Sequence, residues 1–152
     1  MVRLISVVGA GECSADEAKT AEEVGGLIAE AGFGVVCGGL GGVMEAACKG
    51  CKEAGGTTVG ILPGSDPAEA NEWVDLAVPT GMGEARNALV AKAGEAMVAV
   101  GGEYGTLSEI AFALKLKKRV AGIGTWNLGD GHIIEAKTPS EAVLDVVQRL
   151  SQ

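Results

Sequence analysis

The stretch Phe33-Gly-Val-Val-Cys37-Gly-Gly-Leu-Gly-Gly42-Val-Met44 decides the fold of this chain. Residues 33–37 form a short apolar run, which predicts a buried strand. The glycines among residues 38–42 then predict a tight turn, and a helix is expected from Val43 to about Ala54. A strand that passes through a glycine-rich turn directly into a helix is typical of proteins in which strands and helices alternate.

The same order of strand, loop and helix repeats along the chain. Three motifs with the spacing of a capping box predict helix starts at Ser14, Thr106 and Thr138, and Pro139 would take the first position of the last helix. The helices from Ser14, Val43 and Thr106 are expected to end near residues 31, 54 and 118, and a helix that contains Arg86 is expected to end near residue 92. The predicted strands are 3–8, 33–37, 57–62, 74–78, 96–100 and 120–123.

Short, almost continuously apolar strands that alternate with helices predict a parallel sheet covered by helices on both faces. An eight-stranded α/β barrel typically needs about 250 residues, whereas this chain has 152. The expected fold class is therefore α/β, with residues 1–152 forming a single Rossmann-like domain around a doubly wound parallel sheet. In such a sheet the ligand binds beyond the carboxyl ends of the strands.

The composition narrows the choice of partners. Twelve Lys and Arg residues against twenty Asp and Glu residues give a formal net charge of −8. This charge repels polyanions, so neither a nucleic acid nor a membrane surface is expected as a partner. Glycine makes up 25 residues, about 16% of the chain against a usual 7%. An anionic ligand would have to be held locally, and backbone N–H groups and helix dipoles are the expected means.

The N-terminal apolar run from Leu4 to Val8 is too short for a signal peptide, and no stretch approaches 18 apolar residues. We therefore expect a soluble, cytoplasmic protein. The four cysteines are few and dispersed, which predicts free thiols. Cys48 and Cys51 are expected to be small buried side chains, and no metal site is predicted.

Glycine-rich loops are the candidate ligand sites. In the loop at residues 38–42, close backbone approach and the dipole of the helix from Val43 favour a bound phosphate. No Gly-Lys-Ser or Gly-Lys-Thr follows, so the loop is not a P-loop. The loop with Gly9 and Gly11 lacks the last glycine of the dinucleotide fingerprint, and Cys37 stands where an acidic residue would bind the ribose of NAD. NAD is therefore not favoured.

A second glycine-rich loop, residues 101–109, leads into another helix. Thr106 and the first amides of that helix could hold a phosphate, while Glu109 could reach a ribose hydroxyl or position a water molecule. The spacing alone favours a structural capping role for Glu109. Arg86 lies near the start of a further helix, where a cation is unfavourable with the helix dipole. An anionic ligand and a pairing with Glu84 explain its position equally well.

In these motifs the chain resembles the Rossmann-like family formerly labelled lysine decarboxylase-like, which includes the LONELY GUY phosphoribohydrolases and the molybdenum cofactor carrier proteins. Residues 38–46 match the family's first glycine loop, Arg86-Asn87 its arginine motif, and residues 105–109 its second loop. The similarity covers most of the chain, and the carrier branch is the more similar of the two.

The chain departs from the hydrolase branch at three positions. There the second motif reads Pro-Gly-Gly-x-Gly-Thr-x-x-Glu, and a lysine typically follows the arginine. Gly101 replaces the proline here, Glu103 replaces the second glycine, and Asn87 replaces the lysine. A carboxylate gained and a cation lost both disfavour a nucleoside monophosphate at this position.

The resemblance implies that Arg86 and Glu109 match the family's catalytic pair, which reverses the structural interpretation of Glu109. Together the loops and the resemblance give a set of candidate ligand-binding residues: Gly9, Gly11, Gly38, Gly39, Gly41, Gly42, Val43, Met44, Asn87, Gly102, Gly105 and Thr106.

Two hypotheses follow. The first is a binding protein that holds a phosphorylated ligand, a nucleotide or the molybdenum cofactor as cargo, and requires no cofactor of its own. The second is a phosphoribohydrolase that cleaves the N-glycosidic bond of a nucleoside 5′-monophosphate. Arg86 would fix the substrate, and Glu109 would engage the ribose and stabilise an oxocarbenium-like transition state or orient water. The resemblance also implies a homo-oligomer, either a dimer or a tetramer.

Overall fold

The structure, a computed structural model, describes residues 1–150 and has seven strands and five α-helices. The strands are β1 (Leu4–Gly9), β2 (Gly34–Cys37), β3 (Thr58–Leu62), β4 (Leu76–Pro79), β5 (Met97–Val100), β6 (Val120–Ile123) and β7 (Ile133–Glu135). The helices are α1 (Ala15–Glu30), α2 (Val43–Glu53), α3 (Asn87–Ala93), α4 (Tyr104–Lys115) and α5 (Pro139–Leu150), with short 3₁₀ turns at Pro67–Glu69 and Gly83–Arg86.

All seven strands form one parallel sheet in the order β4-β3-β2-β1-β5-β6-β7. The chain builds outward from β1 to β4 and then returns to the centre, where β5 pairs with the other side of β1. The expected doubly wound α/β fold is therefore confirmed. The direction of winding reverses between β1 and β5, so the crevice above the carboxyl ends of these two strands is the expected ligand site.

The two faces of the sheet carry separate apolar layers. Side chains of α1, α2 and α5 pack with Ile5 and Val7 of β1, whereas side chains of α3 and α4 pack with Val8 of the same strand. Successive residues of a strand point to opposite faces, so β1 contributes to both layers and is covered on both sides. This explains why the central strands read as almost continuous apolar runs.

Strand β7 was not predicted. Its three residues, Ile133–Glu135, pair in parallel with β6 at the edge of the sheet and are half-buried or exposed. An edge strand of this length, preceded by a glycine-rich loop, has no apolar run to indicate it.

The start of α4 also differs from the prediction. Helix α4 begins at Tyr104, with Glu103 at its N-cap, so Thr106 lies inside the first turn and does not cap it. The capping-box interpretation of Thr106 and Glu109 is therefore wrong. The other two predicted caps are present: the Ser14 hydroxyl accepts from the Glu17 amide, and Pro139 is the first residue of α5.

No helix among residues 1–150 is long and apolar enough to cross a membrane.

Candidate functional site

A cavity of about 420 Å³ lies where the loops after β1, β2 and β5 meet the start of α4. It occupies the crevice at which the winding of the sheet reverses, as expected for a ligand site in this fold. The predicted site residues that line it are Gly9, Gly11, Met44, Arg86, Asn87, Gly105, Thr106 and Glu109. Residues that the sequence did not assign to the site also line it: Ala10, Glu12, Leu40, Glu84 and Glu103.

Arg86 is the only cation of this cavity wall, and its side chain is 8% exposed. The guanidinium Nε donates to the carbonyl oxygen of Ile61 at 2.9 Å, and one terminal nitrogen donates to Oδ1 of Asn87. Both acceptors are neutral. Within residues 1–150 no carboxylate lies within 4.0 Å of the guanidinium. Arg86 is therefore a nearly buried charge without an ion pair, and the pairing with Glu84 that the sequence allowed is not made.

Asn87 connects Arg86 to the first turn of α4. Its Nδ2 donates to Oγ of Ser108 at 3.0 Å, and that hydroxyl donates to the carbonyl oxygen of Gly105 at 2.6 Å. The orientation of the guanidinium is thus coupled to the loop that carries Gly105 and Thr106. Ser108 lies within the second glycine motif, but sequence reasoning gave it no role because its importance depends on a contact across two helices.

Glu109 is the second buried charged residue of the cavity, with 7% of its surface exposed. Burial raises the pKa of its carboxyl group from the ordinary 4.5 to about 8; the Arg86 guanidinium opposes this shift and the Glu84 carboxylate adds to it. Burial dominates because the charged form of a carboxyl group loses its hydration. At pH 7 the Glu109 carboxyl is therefore mostly protonated and can donate a hydrogen bond.

The first glycine loop, residues 38–42, packs against Arg86. A Cβ atom at Gly38 would lie 2.8 Å from a terminal guanidinium nitrogen of Arg86, so the absence of a side chain there leaves room for the arginine. Gly42 precedes α2 with a φ of 61°, and a Cβ atom there would collide with the carbonyl of Ala10. The Val43 amide donates to the Ala10 carbonyl oxygen at 3.0 Å, so this amide already has a partner within the protein.

The predicted residues that do not line the cavity are Gly38, Gly39, Gly41, Gly42, Val43 and Gly102. They shape the two loops that do. Asn71 was not predicted as a site residue, but it holds the loop at residues 38–42 in place. Its Nδ2 donates to the carbonyl oxygen of Leu40 at 2.8 Å, and its backbone N–H donates to that of Gly39 at 2.9 Å.

The cavity is acidic apart from Arg86, because the carboxylates of Glu12, Glu84 and Glu103 lie in its wall together with Glu109. Backbone groups offset part of this charge. The N–H groups of Gly105 and Thr106 lie in the first turn of α4, where no intrahelical carbonyl is available to them, and the helix dipole is positive there. The wall thus combines one cation and the amides of a helix N-terminus with several hydrogen-bond acceptors.

The cysteines lie beside the site and do not open into it. Cys37 and Cys48 are fully buried, with their sulfur atoms 3.5 Å apart, and Cys51 is buried as predicted. The hydrogen bond between the two thiols lowers the pKa of Cys37 and raises that of Cys48. Residues 1–150 contain no group of three or more His, Cys, Asp or Glu side chains arranged to hold a metal ion.

Comparison with known proteins agrees with this architecture. The model of the SLOG cluster4 family matches residues 2–150. An uncharacterized protein of Archaeoglobus fulgidus is 47% identical over 139 residues, which make up 91% of each chain. The molybdenum cofactor binding protein of Rippkaea orientalis superimposes with a TM-score of 0.92 at 32% identity, covering 100% of this chain and 99% of that one.

The molybdenum cofactor carrier protein of Chlamydomonas reinhardtii gives a TM-score of 0.91 at 37% identity, with 100% of each chain covered. These similarities confirm the predicted resemblance to the LONELY GUY-like family and to its molybdenum cofactor carrier branch. The chain belongs to the SLOG cluster4 family.

Proposed function

We propose that this protein binds a phosphorylated small molecule, with the phosphate held beside Arg86 in the 420 Å³ cavity. The observation that carries the proposal is that Arg86 is buried and unpaired. Buried charges in proteins are almost always paired, because a desolvated charge without a counter-ion is costly. The missing partner of Arg86 is therefore supplied by an anionic ligand.

The neighbouring groups favour a phosphate as that anion. The Nε and one terminal nitrogen of Arg86 are occupied, which leaves the other terminal nitrogen to donate to a ligand. Gly105 and Thr106, in the first turn of α4, line the same cavity and offer backbone amides and a hydroxyl group. Hydrogen bonds from charged donors to an anion are about twice as strong as neutral ones. An arginine together with a helix N-terminus is a common solution for binding phosphate.

The ligand we favour is the molybdenum cofactor, a phosphorylated pterin that would be carried as cargo. Two of the similar structures are described as proteins that bind or carry this cofactor. Glu103 and Asn87, where the hydrolase branch has a glycine and a lysine, also weaken the case for a nucleotide substrate. The protonated carboxyl of Glu109 fits an anionic ligand, because it adds a donor and no negative charge at neutral pH.

The second candidate is hydrolysis of a nucleoside 5′-monophosphate, and the pKa of Glu109 is the observation that favours it. A carboxyl group with a pKa of about 8 can donate its proton at pH 7. In this reaction the bond between C1′ of the ribose and the base nitrogen breaks, and Glu109 supplies a proton to the departing base. Water adds to C1′ as a hydroxyl group, and the proton that it releases restores the protonated Glu109. Arg86 would hold the 5′-phosphate during the reaction.

Ligand binding and base release in one set of proteins distinguish these candidates. We expect ribose 5-phosphate and neopterin monophosphate to bind to the wild-type protein in calorimetric titrations. We expect Arg86→Ala to weaken binding by about 10- to 150-fold, the usual cost of losing a charged hydrogen bond. Arg149→Ala removes an exposed arginine of α5 and serves as the matched control.

Because Arg86→Ala also removes two internal hydrogen bonds, Arg86→Lys is included as a variant that keeps the charge. Unchanged affinity for both phosphorylated compounds in Arg86→Ala and Arg86→Lys would refute the proposed site. The hydrolysis hypothesis is tested by incubating the wild-type protein with AMP and separating the products by chromatography. Release of adenine by the wild-type protein and its loss in Glu109→Gln would favour hydrolysis over carriage.

A further inference from the structure

A second cavity of about 280 Å³ lies beyond the carboxyl end of β6, on the same edge of the sheet as the first. Its wall includes Trp126 and Asn127 from the loop after β6, and Glu135 at the end of β7. The indole Nε1 of Trp126 donates to the carbonyl oxygen of Glu103 at 3.0 Å. Glu103 lines the first cavity, so this hydrogen bond links the walls of the two cavities.

Trp126 is also part of an aromatic pair. The rings of Tyr104 and Trp126 have centroids 5.8 Å apart and are tilted by 30°. Tyr104 is 80% exposed and lies between two residues of the first cavity wall, Glu103 and Gly105. The chain has one tyrosine, two tryptophans and two phenylalanines, so two of its few aromatic rings are placed here rather than in the core. An exposed ring at the edge of a cavity offers a face on which a flat heterocycle can stack.

Glu135 gives the second cavity a directional polar group. Its side chain is exposed, and within residues 1–150 it makes no hydrogen bond or ion pair. An ionised carboxylate has two oxygens and only accepts hydrogen bonds. It therefore complements a ring edge that presents two adjacent N–H donors. The 2-amino-4-oxopyrimidine ring of guanine and of pterins has such an edge, whereas adenine does not.

We propose that the second cavity binds a planar 2-amino-4-oxopyrimidine heterocycle. The Trp126 ring in the cavity wall, together with the Tyr104 ring that packs against it, forms the stacking surface, and Glu135 accepts from the two N–H groups of the heterocycle. The idea that this ring and a phosphate beside Arg86 belong to one ligand rests on the proposed function. The ring site itself does not, because its residues are separate from those that hold the phosphate.

The fluorescence of Trp126 reports on occupation of this cavity. Trp73 is the other tryptophan of the chain, so a Trp73→Phe background leaves Trp126 as the sole indole. We expect guanosine and neopterin, which carry the ring without phosphate, to quench this emission. Adenosine at the same concentration should quench less, and ribose 5-phosphate should not quench. The relative affinities of guanosine and neopterin distinguish a guanine ligand from a pterin ligand.

Two substitutions test the contacts. Tyr104→Ala should weaken guanosine or neopterin binding by about 5- to 30-fold, as for other base-stacking aromatics. Phe112→Ala, at a 40% exposed position on the same helix, is the matched control and should change nothing. Glu135→Gln keeps the size of the side chain but loses one acceptor, and it should reduce the preference for guanosine over adenosine by about tenfold.

The outcomes separate this inference from the proposed function. Unchanged Trp126 emission with guanosine and neopterin, or unchanged affinity in Tyr104→Ala, would overturn the ring site even if ribose 5-phosphate binds in an Arg86-dependent way. Quenching that depends on Tyr104 and Glu135 supports the ring site even if ribose 5-phosphate does not bind, a result that would overturn only the phosphate site.

Discussion

The buried carboxyl group of Glu109 should make the stability of the protein fall as the pH rises. In the folded chain burial keeps this group protonated up to about pH 8, whereas the ordinary pKa is 4.5. Between these values the folded state binds more protons than the unfolded state, so the free energy of unfolding decreases with increasing pH. The group therefore destabilises the folded protein most above pH 8 and has no such effect below pH 4.5.

The size of the effect follows from the difference between the two pKa values. One pKa unit corresponds to about 1.4 kcal/mol. Moving from 4.5 to about 8 thus corresponds to a loss of about 5 kcal/mol at high pH, of which about 3 kcal/mol is already lost at pH 7. The substitution Glu109→Gln keeps the shape of the side chain and cannot ionise. Its stability advantage over the wild-type protein should grow by these amounts between pH 4.5 and pH 9.

Urea unfolding at pH 5, 7 and 9 measures the two free energies under identical conditions. The carboxylates of Asp75 and Glu95, which pair with Lys52 and Arg3, have lowered pKa values and titrate below this range. Any group that does titrate between pH 5 and pH 9 is common to both proteins and cancels in the difference. Glu103→Gln, which removes an exposed carboxylate from the same cavity, is the control and should track the wild-type protein. Parallel stability curves for the wild-type protein and Glu109→Gln would refute this account of the site.

Two further substitutions test how the first glycine loop is built. Gly42→Ala should lower the unfolding free energy in urea by at least about 3 kcal/mol, because a φ of 61° is strained for alanine and its Cβ would collide with Ala10. Gly55→Ala, at a φ of 84° with open space around it, is the control and should cost only about 1 to 2 kcal/mol. Equal losses would mean that the contact with Ala10 is unimportant. Asn71→Ala should lower the unfolding free energy by about 1 to 3 kcal/mol, because it removes the hydrogen bond to the loop that carries Leu40 into the cavity. It should also weaken ribose 5-phosphate binding in calorimetry. Unchanged binding would show that the loop does not need Asn71.

The central strands could be predicted from sequence because both of their faces are covered. The run at residues 33–37 and the observed strand Gly34–Cys37 differ by one residue, and the prediction for 120–123 coincides with Val120–Ile123. At the edges of the sheet this signal weakens. Strand β4 was placed at 74–78 but spans Leu76–Pro79, where most residues are exposed, and β7 gave no signal at all. Burial on both faces is what makes a strand readable as an apolar run.

The start of α4 could not be predicted from spacing alone. Thr106 and Glu109 have the same separation as Ser14 and Glu17, which do form a capping box. The difference lies in the backbone before the helix. Gly101 and Gly102 adopt φ angles of 55° and 98°, and the chain enters the helix two residues before the threonine. Only the dihedral angles distinguish the two cases, and sequence spacing does not contain them.

The convergence of Arg86 and Glu109 was predictable in outline, because the elements that carry them begin at the same edge of the sheet. The residues that position them were harder to identify. Asn71 acts on a loop 31 residues earlier in the chain, and Ser108 acts through the side chain of Asn87. Neither residue carries a local pattern that indicates its role, because the partner of each is defined only by the folded chain.

The proposed function requires an acidic protein to hold an anionic ligand, and the charges of Arg86 and Glu109 bear on how it would do so. Neutral acceptors, the Ile61 carbonyl and the Asn87 amide oxygen, hold the guanidinium and leave its charge uncompensated. A fully ionised Glu109 in the same cavity would compete with a ligand for that charge. Burial prevents this by keeping the carboxyl protonated near neutral pH. Under the proposed function, the same desolvation that makes Glu109 costly at high pH reserves the positive charge of Arg86 for the anionic ligand.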